Sequence, residues 1–335
     1  MSSPLISILT PFRNSSLYLE DCLNSIIYQT YPHWELLIVD DHSTDDSYNI
    51  VAGFAQKDDR IKLFKNSGSG IIDALRLAFK NSSGAYVTRM DSDDLMAPIK
   101  LEVMLEDLKT EGRGHVALGL VNYFSDEALG EGYQNYEKWL NGLTLEGTNY
   151  TDIYKECVIP SPCWMVHRED LIACGAFESD MYPEDYDLAF RFYKHGLKCI
   201  PSDSTLHHWR DYTTRTSRTD DNYAANHFLK LKLDYFLELD RRPGQPLVIW
   251  GAGFKGKFCA RFLKKRKIPF VWICNNPKKI GHIIYHIELQ AVSVLNELEH
   301  PQVIVTVANK TSQKRITSVL ENLGLAKAED YFFFC

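Results

Sequence analysis

Arg89-Met90-Asp91-Ser92-Asp93-Asp94 is the stretch whose reading decides the fold. The apolar run Ala85-Tyr86-Val87 leads into it, and Pro98 with a helix-like pattern leads away. Three carboxylates on the loop after a strand offer hard oxygen ligands to a divalent cation. Such a cation holds a diphosphate and neutralises its charge as a bond to it breaks. The ordinary alternative is an acidic surface turn or a helix N-cap, since aspartate favours both. The flanking chain has to choose between them.

Toward the N-terminus, Leu5-Ile6-Ser7-Ile8-Leu9-Thr10 reads as a buried strand that Pro11-Phe12-Arg13-Asn14 breaks. Leu17 to Ile27 places apolar residues at 19, 23, 26 and 27 on one helical face. Trp34 to Val39 is a second strand ending in Asp40-Asp41-His42-Ser43, and Thr44 to Ser47 cap a helix through Phe54. Ile61 to Phe64 is a short third strand, Ile71 to Lys80 a helix, and Ala85 to Thr88 the strand entering the acidic stretch. Strands alternating with helices predict an α/β fold, a mostly parallel sheet with helices on both faces. Ligands of such sheets bind beyond the carboxyl ends of the strands. Thr10 to Asn14, Asp40-Asp41 and Arg89 to Asp94 all fall at that edge, a convergence that favours a site over surface decoration.

The 335 residues suffice for two domains. A hydrophobic content of 45% with 24% charged residues fits a folded protein. The formal charge of −7, from 44 acids and 37 bases, argues against a general nucleic-acid binder. No apolar run approaches the roughly 20 residues of a spanning helix. Met1-Ser2-Ser3-Pro4 has neither a basic region nor an apolar core. The expected location is the cytoplasm, with peripheral association at the inner membrane face left open. Eight cysteines without Cys-x-x-Cys or zinc spacing fit reduced thiols.

Pro11-Phe12-Arg13-Asn14, then Ser25-Ile26-Ile27-Tyr28-Gln29-Thr30, then Leu37 to Asp45, then Arg89 to Asp94 resemble, in order and spacing, family 2 glycosyltransferases of the GT-A fold. The resemblance covers the first hundred residues. It implies an inverting transferase that takes a nucleotide-diphospho-sugar, a UDP-sugar by expectation, and uses Mn²⁺ or Mg²⁺. The acceptor it implies is a hydroxyl of a glycan or lipid-linked molecule, in the synthesis of a bacterial surface polysaccharide. On this match Thr10, Pro11 and Phe12 line the nucleotide pocket, with Asn14 on the same donor side. Asp41 accepts a hydrogen bond from the base, with Asp40 beside it. Asp91 touches the ribose or sugar, and Asp93 ligates the metal with Asp91 nearby. A carboxylate suits a base N–H as acceptor. Magnesium often takes only one or two protein carboxylates. Arg89 contacts the donor or makes a salt bridge to a neighbouring aspartate; both readings stand. Asp94 is read as a helix cap.

Beyond the acidic stretch, Leu101 to Leu108 is helix-like and Val116 to Val121 strand-like. The aromatics Tyr123, Phe124, Tyr133, Tyr136, Trp139, Tyr150 and Tyr154 either stack on sugars or belong to the core. Pro183-Glu184-Asp185 stands at a helix N-terminus, where the dipole favours a carboxylate. By the resemblance Asp185 is the general base, and Glu184, Trp209 and Arg210 lie on the acceptor side. A single displacement needs one base, whereas glycoside hydrolases use two flanking carboxylates. Family members place a metal-binding histidine where Tyr212 stands here. His207 and His208 point to opposite faces of a strand, so at most one replaces it; His208 is the candidate. Arg210, Arg215 and Arg218 either clamp phosphates or form a solvated basic loop.

Asp220 to Leu239 reads as a linking helix and Arg242 to Pro246 as a boundary. Leu247 to Trp250 then enters Gly251-Ala252-Gly253-Phe254-Lys255-Gly256 and a helix, the strand–turn–helix setting of a dinucleotide fingerprint. The acid expected after the second strand is replaced by Cys274-Asn275-Asn276, which favours a structural or acceptor-docking role. The expected organisation is a GT-A domain over 1–218, a linking helix over 219–244 and a small Rossmann-like domain over 245–335. A nucleotidyltransferase would show a glycine-rich basic loop near the N-terminus, which Pro11 to Asn14 is not. A non-catalytic nucleotide-binding module would have no use for acids at 41, 93 and 185.

Overall fold

The computed structural model describes residues 3–125, 129–213, 215 and 228–335. The chain splits into two compact units, Met1–Asn149 with Val158–Arg215, and Tyr150–Cys157 with Thr216–Cys335. The boundary expected at 218, the start of the linking helix and Arg218 lie outside the described residues. Tyr150–Cys157, placed by the sequence reading in the first domain, packs in the second unit. The reason is Tyr154, whose ring stacks on Phe334 and meets Phe236 and Phe332 edge-on.

In the first unit the strands are β1 (Ile6–Phe12), β2 (Trp34–Asp40), β3 (Ile61–Lys65), β4 (Tyr86–Arg89), β5 (Leu95–Met96), β6 (His115–Leu118), β7 (Leu120–Phe124), β8 (Trp164–His167), β9 (Lys198–Ile200) and β10 (Thr205–Arg210). The helices are α1 (Leu19–Ile27), α2 (Ser47–Ala55), α3 (Ile71–Lys80), α4 (Lys100–Glu111), α5 (Glu131–Glu146), α6 (Arg168–Ala173) and α7 (Glu184–Lys194). The main sheet runs β3-β2-β1-β4-β8-β6-β9. Strands β1 to β4 pair in parallel, while β8 is antiparallel to both β4 and β6. Both β1 and β2 are buried along their whole length, as central strands covered on two faces must be.

Three elements depart from the sequence reading. The strand expected over 116–121 is broken at Gly119 into β6 and β7, which belong to different sheets. A Cβ at Gly119 would stand 2.5 Å from the Leu206 Cβ, so β10 closes on bare backbone there. The segment after the acidic stretch holds a strand the sequence reading lacks: β5 pairs antiparallel with β10 before α4 starts at Lys100, where the helix read over Leu101 to Leu108 is found. The aromatic region contains α5, from which Tyr136 and Trp139 pack against the core.

Strand β1 lies between β2 and β4, so the crossovers leave it in opposite directions and open a crevice at the carboxyl ends of β1 and β4. The amino-terminal edge is closed by buried Glu35. Its carboxylate accepts from Ser7 Oγ at 2.8 Å, Ser83 N at 2.5 Å, Gly84 N at 3.1 Å and Lys62 Nζ at 2.7 Å.

The second unit contains α8 (Phe228–Leu239), β11 (Leu247–Trp250), α9 (Phe254–Lys265), β12 (Val271–Ile273), β13 (Ile283–Ile284), β14 (Ile287–Gln290), β15 (Gln302–Val305), α10 (Lys310–Asn322) and β16 (Tyr331–Phe333). Its parallel strands run β14-β12-β11-β15-β16, the winding of dinucleotide-binding sheets, with β13 hairpinned onto the edge. Packing accounts for two of the fingerprint glycines. A Cβ on Gly251 would meet Thr306 Oγ1 at 2.4 Å, and one on Gly256 would meet the Gly251 carbonyl oxygen at 2.0 Å. Asn275, standing where the ribose-binding acid is expected, accepts from Trp250 Nε1 at 2.6 Å. Among the described residues no helix is long and apolar enough to cross a membrane.

Candidate functional site

The loops after β1, β2 and β4 are laced together at the crevice. Asn14 adopts a left-handed backbone, φ 51°. Its amide donates to Ser43 Oγ at 3.1 Å and its Oδ1 accepts from Thr44 N at 2.8 Å, which clips the first loop to the second. The Ser15 and Ser92 hydroxyls meet at 2.8 Å and clip it to the acidic stretch. Met90 N donates to the Leu9 carbonyl at 3.0 Å, which extends the β1–β4 ladder by one step. Thr10, Pro11 and Phe12 are all buried along the end of β1, and among the described residues Thr10 Oγ1 meets no hydrogen-bond partner.

Asp41 is held from the β3–α3 loop. Asn66 Nδ2 donates to its Oδ1 at 2.8 Å, and the Gly70 amide lies 3.0 Å from both oxygens. A carboxylate accepts about four hydrogen bonds, so the arrangement fixes Asp41 and leaves capacity for a ligand donor. Asp40 Oδ1 accepts from Ser43 N at 3.1 Å.

Arg89 links the acidic stretch to α7. Its Nε donates to Asp91 Oδ1 at 2.9 Å and its Nη1 to Glu184 Oε1 at 2.8 Å, and the residue is 5% exposed. Burial disfavours the cation, but Asp91, Glu184 and Asp185 outweigh it and hold the guanidinium protonated. The salt bridge that the sequence offered for Arg89 is formed. It brings the acidic stretch and Glu184-Asp185 into one place, although 95 residues separate Arg89 from Glu184. Asp185 lies in the first turn of α7, its Oδ1 accepting from Tyr186 N at 2.7 Å. Burial and the neighbouring Glu184 push its carboxyl well above the usual range, against the pull of Arg89.

The three aspartates divide their work. Asp91 gives one oxygen to Arg89, and Asp93 gives Oδ2 to the Tyr212 hydroxyl at 2.8 Å. Burial, then Asp94 and Asp91, raise Asp93 to about 6, while Arg215 and Tyr212 oppose the rise. Asp94 is fully buried and anchors the loop to β10: Oδ2 meets His207 Nε2 at 3.0 Å and Oδ1 accepts from Arg210 N at 2.8 Å. The cap role expected for Asp94 is therefore replaced by a cross-link. The next helix starts six residues later, too far for its side chain to cap.

Several sequence assignments are corrected. His208 turns away from the aspartates, its Nδ1 on Asn122 Oδ1, while His207 faces Asp94; alternation along β10 allows only one of them inward. Among the described residues no three His, Cys, Asp or Glu side chains gather as a metal-ligand set. Trp209, assigned to the acceptor, is 6% exposed and packs in the core against Tyr123 and Tyr136. Arg210, also assigned there, bonds the Asp93 carbonyl at 3.0 Å and Asp21 at 2.9 Å, and its guanidinium lies between the Tyr18 and Phe124 rings. Glu184 is paired to Arg89 rather than open to an acceptor. Tyr212, Asn66, Gly70 and His207 complete the site. Tyr212 had a sequence signal, since it stands where the family histidine is expected. Asn66 and Gly70 had none.

The family model described as Glycosyl transferase family 2 matches residues 7–175. A putative teichuronic acid biosynthesis glycosyltransferase of Bacillus subtilis is 32% identical over 169 residues, which is 50% of this chain and 63% of that protein. A Streptococcus pneumoniae glycosyltransferase, GlyA, is 30% identical over 215 residues, 61% of this chain and 30% of its own length. The chain thus spans less than two thirds of these relatives. Among solved structures, Staphylococcus aureus TarS with UDP superposes with a TM-score of 0.51 at 18% identity, covering 78% of this chain and 71% of that one. A Pyrobaculum calidifontis mannosyltransferase in complex with GDP-Man and Mn²⁺ gives 0.54 at 20% identity, covering 72% and 66%. At these identities the structural likeness is one of fold.

Proposed function

Because the chain belongs to glycosyl transferase family 2, we propose that it transfers a sugar from a nucleotide-diphospho-sugar to a hydroxyl of a glycan or lipid-linked acceptor, with inversion, in bacterial surface polysaccharide synthesis. The observation that carries this reading is the Arg89 bridge, which joins the acidic stretch at the sheet's switch point to the Glu184-Asp185 pair. The UDP and GDP-Man bound by the similar solved structures support a nucleotide-sugar donor, with UDP the nucleotide we favour. The teichuronic acid relative supports the polysaccharide setting.

In this reading the ends of β1 and β2 receive the nucleotide, with Asp41 fixed by Asn66 and Gly70 to accept from the base. The donor set fits Mn²⁺ or Mg²⁺. Among the described residues Asp91 and Asp93 each keep an oxygen with no protein donor, and a hard cation takes one or two carboxylates with phosphate and water in its other positions. Bound there, the cation would offset the negative charge on the departing diphosphate. Asp185 takes the acceptor proton as the acceptor oxygen bonds to the anomeric carbon and the carbon–phosphate-oxygen bond breaks. Its raised pKa makes it a stronger base than an exposed aspartate. Arg89 keeps Asp91 and Glu184 in place.

The test is a panel of sugar nucleotides with Mn²⁺, read as release of nucleoside diphosphate. One donor should be hydrolysed slowly without acceptor. Asp93→Ala and Asp185→Asn should each lower transfer by about a hundredfold or more with the fold retained. Near-normal turnover in either variant overturns the site assignment. Release of pyrophosphate instead would identify a nucleotidyltransferase.

A further inference from the structure

Residues 251–287 contain nine lysines and arginines and no aspartate or glutamate, in a chain whose net charge is −7. The proposed transfer chemistry makes no use of this block, and the fold gives it a face. On α9 the exposed residues Phe254, Lys257, Arg261, Lys264 and Lys265 recur at helical spacing, while Cys259, Ala260 and Leu263 are buried. The segment before β14 lies along the same helix. Lys279 Nζ donates to the Ala252 carbonyl at 3.3 Å near its start, and Lys264 Nζ donates to the Tyr285 carbonyl at 2.6 Å near its end. The Arg261 guanidinium lies 5.7 Å from the Tyr285 ring centroid, and that ring stacks on buried Trp272. An open concavity of about 450 Å³ forms between Arg261, Lys264, Lys265, Tyr285 and His286. Two large apolar side chains belong to these same two segments, Phe254 at 62% exposed and Ile283 at 72%.

We propose that this face of the second unit docks on a bilayer bearing anionic headgroups. Each cation near such a surface contributes about 1 kcal/mol. An apolar side chain beside the cations gains by entering the headgroup–acyl boundary, as in interfacial helices. Charge complementarity alone would also suit free phosphate or an acidic polymer. Neither of those gives Phe254 and Ile283 anything to bury against, and the exposure of both side chains therefore favours the bilayer.

The test is co-sedimentation of the full chain with vesicles of phosphatidylcholine alone, or of phosphatidylcholine with phosphatidylglycerol, at low and high salt. Binding to the anionic vesicles, weakened by salt, is expected. Lys257→Glu/Arg261→Glu/Lys265→Glu should weaken it roughly a hundredfold. Phe254→Ser/Ile283→Ser, which keeps every charge, should weaken it about tenfold. All five positions are exposed, so an unchanged circular dichroism spectrum accompanies the expected result. Equal binding to both vesicle types, or unchanged binding of the charge-reversed variant, overturns the proposal. Anionic binding that ignores Phe254→Ser/Ile283→Ser, or that inorganic phosphate competes away, also overturns it, in favour of a soluble anion. The assay needs neither donor nor metal, so its failure leaves the proposed transfer reaction standing.

Discussion

Replacing Arg89 by methionine tests the bridge that assembles the site. Arg89 is 5% exposed and its guanidinium bonds Asp91 at 2.9 Å and Glu184 at 2.8 Å. Its loss leaves the Glu184 carboxylate, whose side chain is 10% exposed, without a counter-charge. Removing one partner of a buried pair costs about 3–5 kcal/mol, because the remaining charge stays desolvated. Asp91 is more exposed and water takes over part of its solvation, so the lower end, about 3 kcal/mol, is expected for Arg89→Met. Arg89→Met/Glu184→Gln removes the stranded charge and should recover about 2 kcal/mol, a coupling far above the additive limit. The measurement is hydrogen–deuterium exchange of peptides spanning β1 and β4 across a urea series, which reports on the first unit alone. The single variant should also move the acidic limb of the rate profile to higher pH, since Arg89 opposes the upward shift of Asp185 and the base must be ionised to work. A cost below about 1 kcal/mol, or additive single and double variants, would refute the bridge as the link between the two acidic segments.

Two further outcomes follow from the same electrostatics. Asp93 is raised to about 6, and a protonated carboxylate cannot ligate, so Mn²⁺ affinity should fall as pH drops through that value. Tyr212→Phe removes a donor to the carboxylate and should move the midpoint upward, while His208→Ala should leave it in place; Mn²⁺ electron paramagnetic resonance reads all three, and a flat profile refutes the assignment. Glu35 is held down to about 2: burial pulls upward, but Lys62, Ser83 and Ser7 prevail. A folded value below the ordinary one stabilises above it and loses that stability as pH falls, so Glu35→Gln should lower the melting temperature at neutral pH and much less near pH 3. The shift corresponds to about 3 kcal/mol, and equal losses at both pH values would contradict it.

The sequence by itself determined the alternation of strands and helices in the first hundred residues, and with it the edge that carries the candidate site. Runs such as Ile6–Phe12 and Trp34–Asp40 are buried throughout and mostly apolar because both faces of a central strand are covered, and that constraint is local enough to read. The acidic stretch, Asp41 and Asp185 were legible for a related reason: polar residues at strand ends and helix starts interrupt the apolar pattern. What each carboxylate bonds to was not legible. Asp94 looked like a cap and is a buried anchor for His207 and Arg210, and Trp209, assigned to the acceptor side, is core. Only the tertiary structure decided that His207 rather than His208 faces inward, because the register of β10 against β5 fixes the parity of the strand. It also decided that Arg89 joins Asp91 to Glu184 across 95 residues. Pairings at that separation depend on the packing of the whole sheet, which no window of sequence contains.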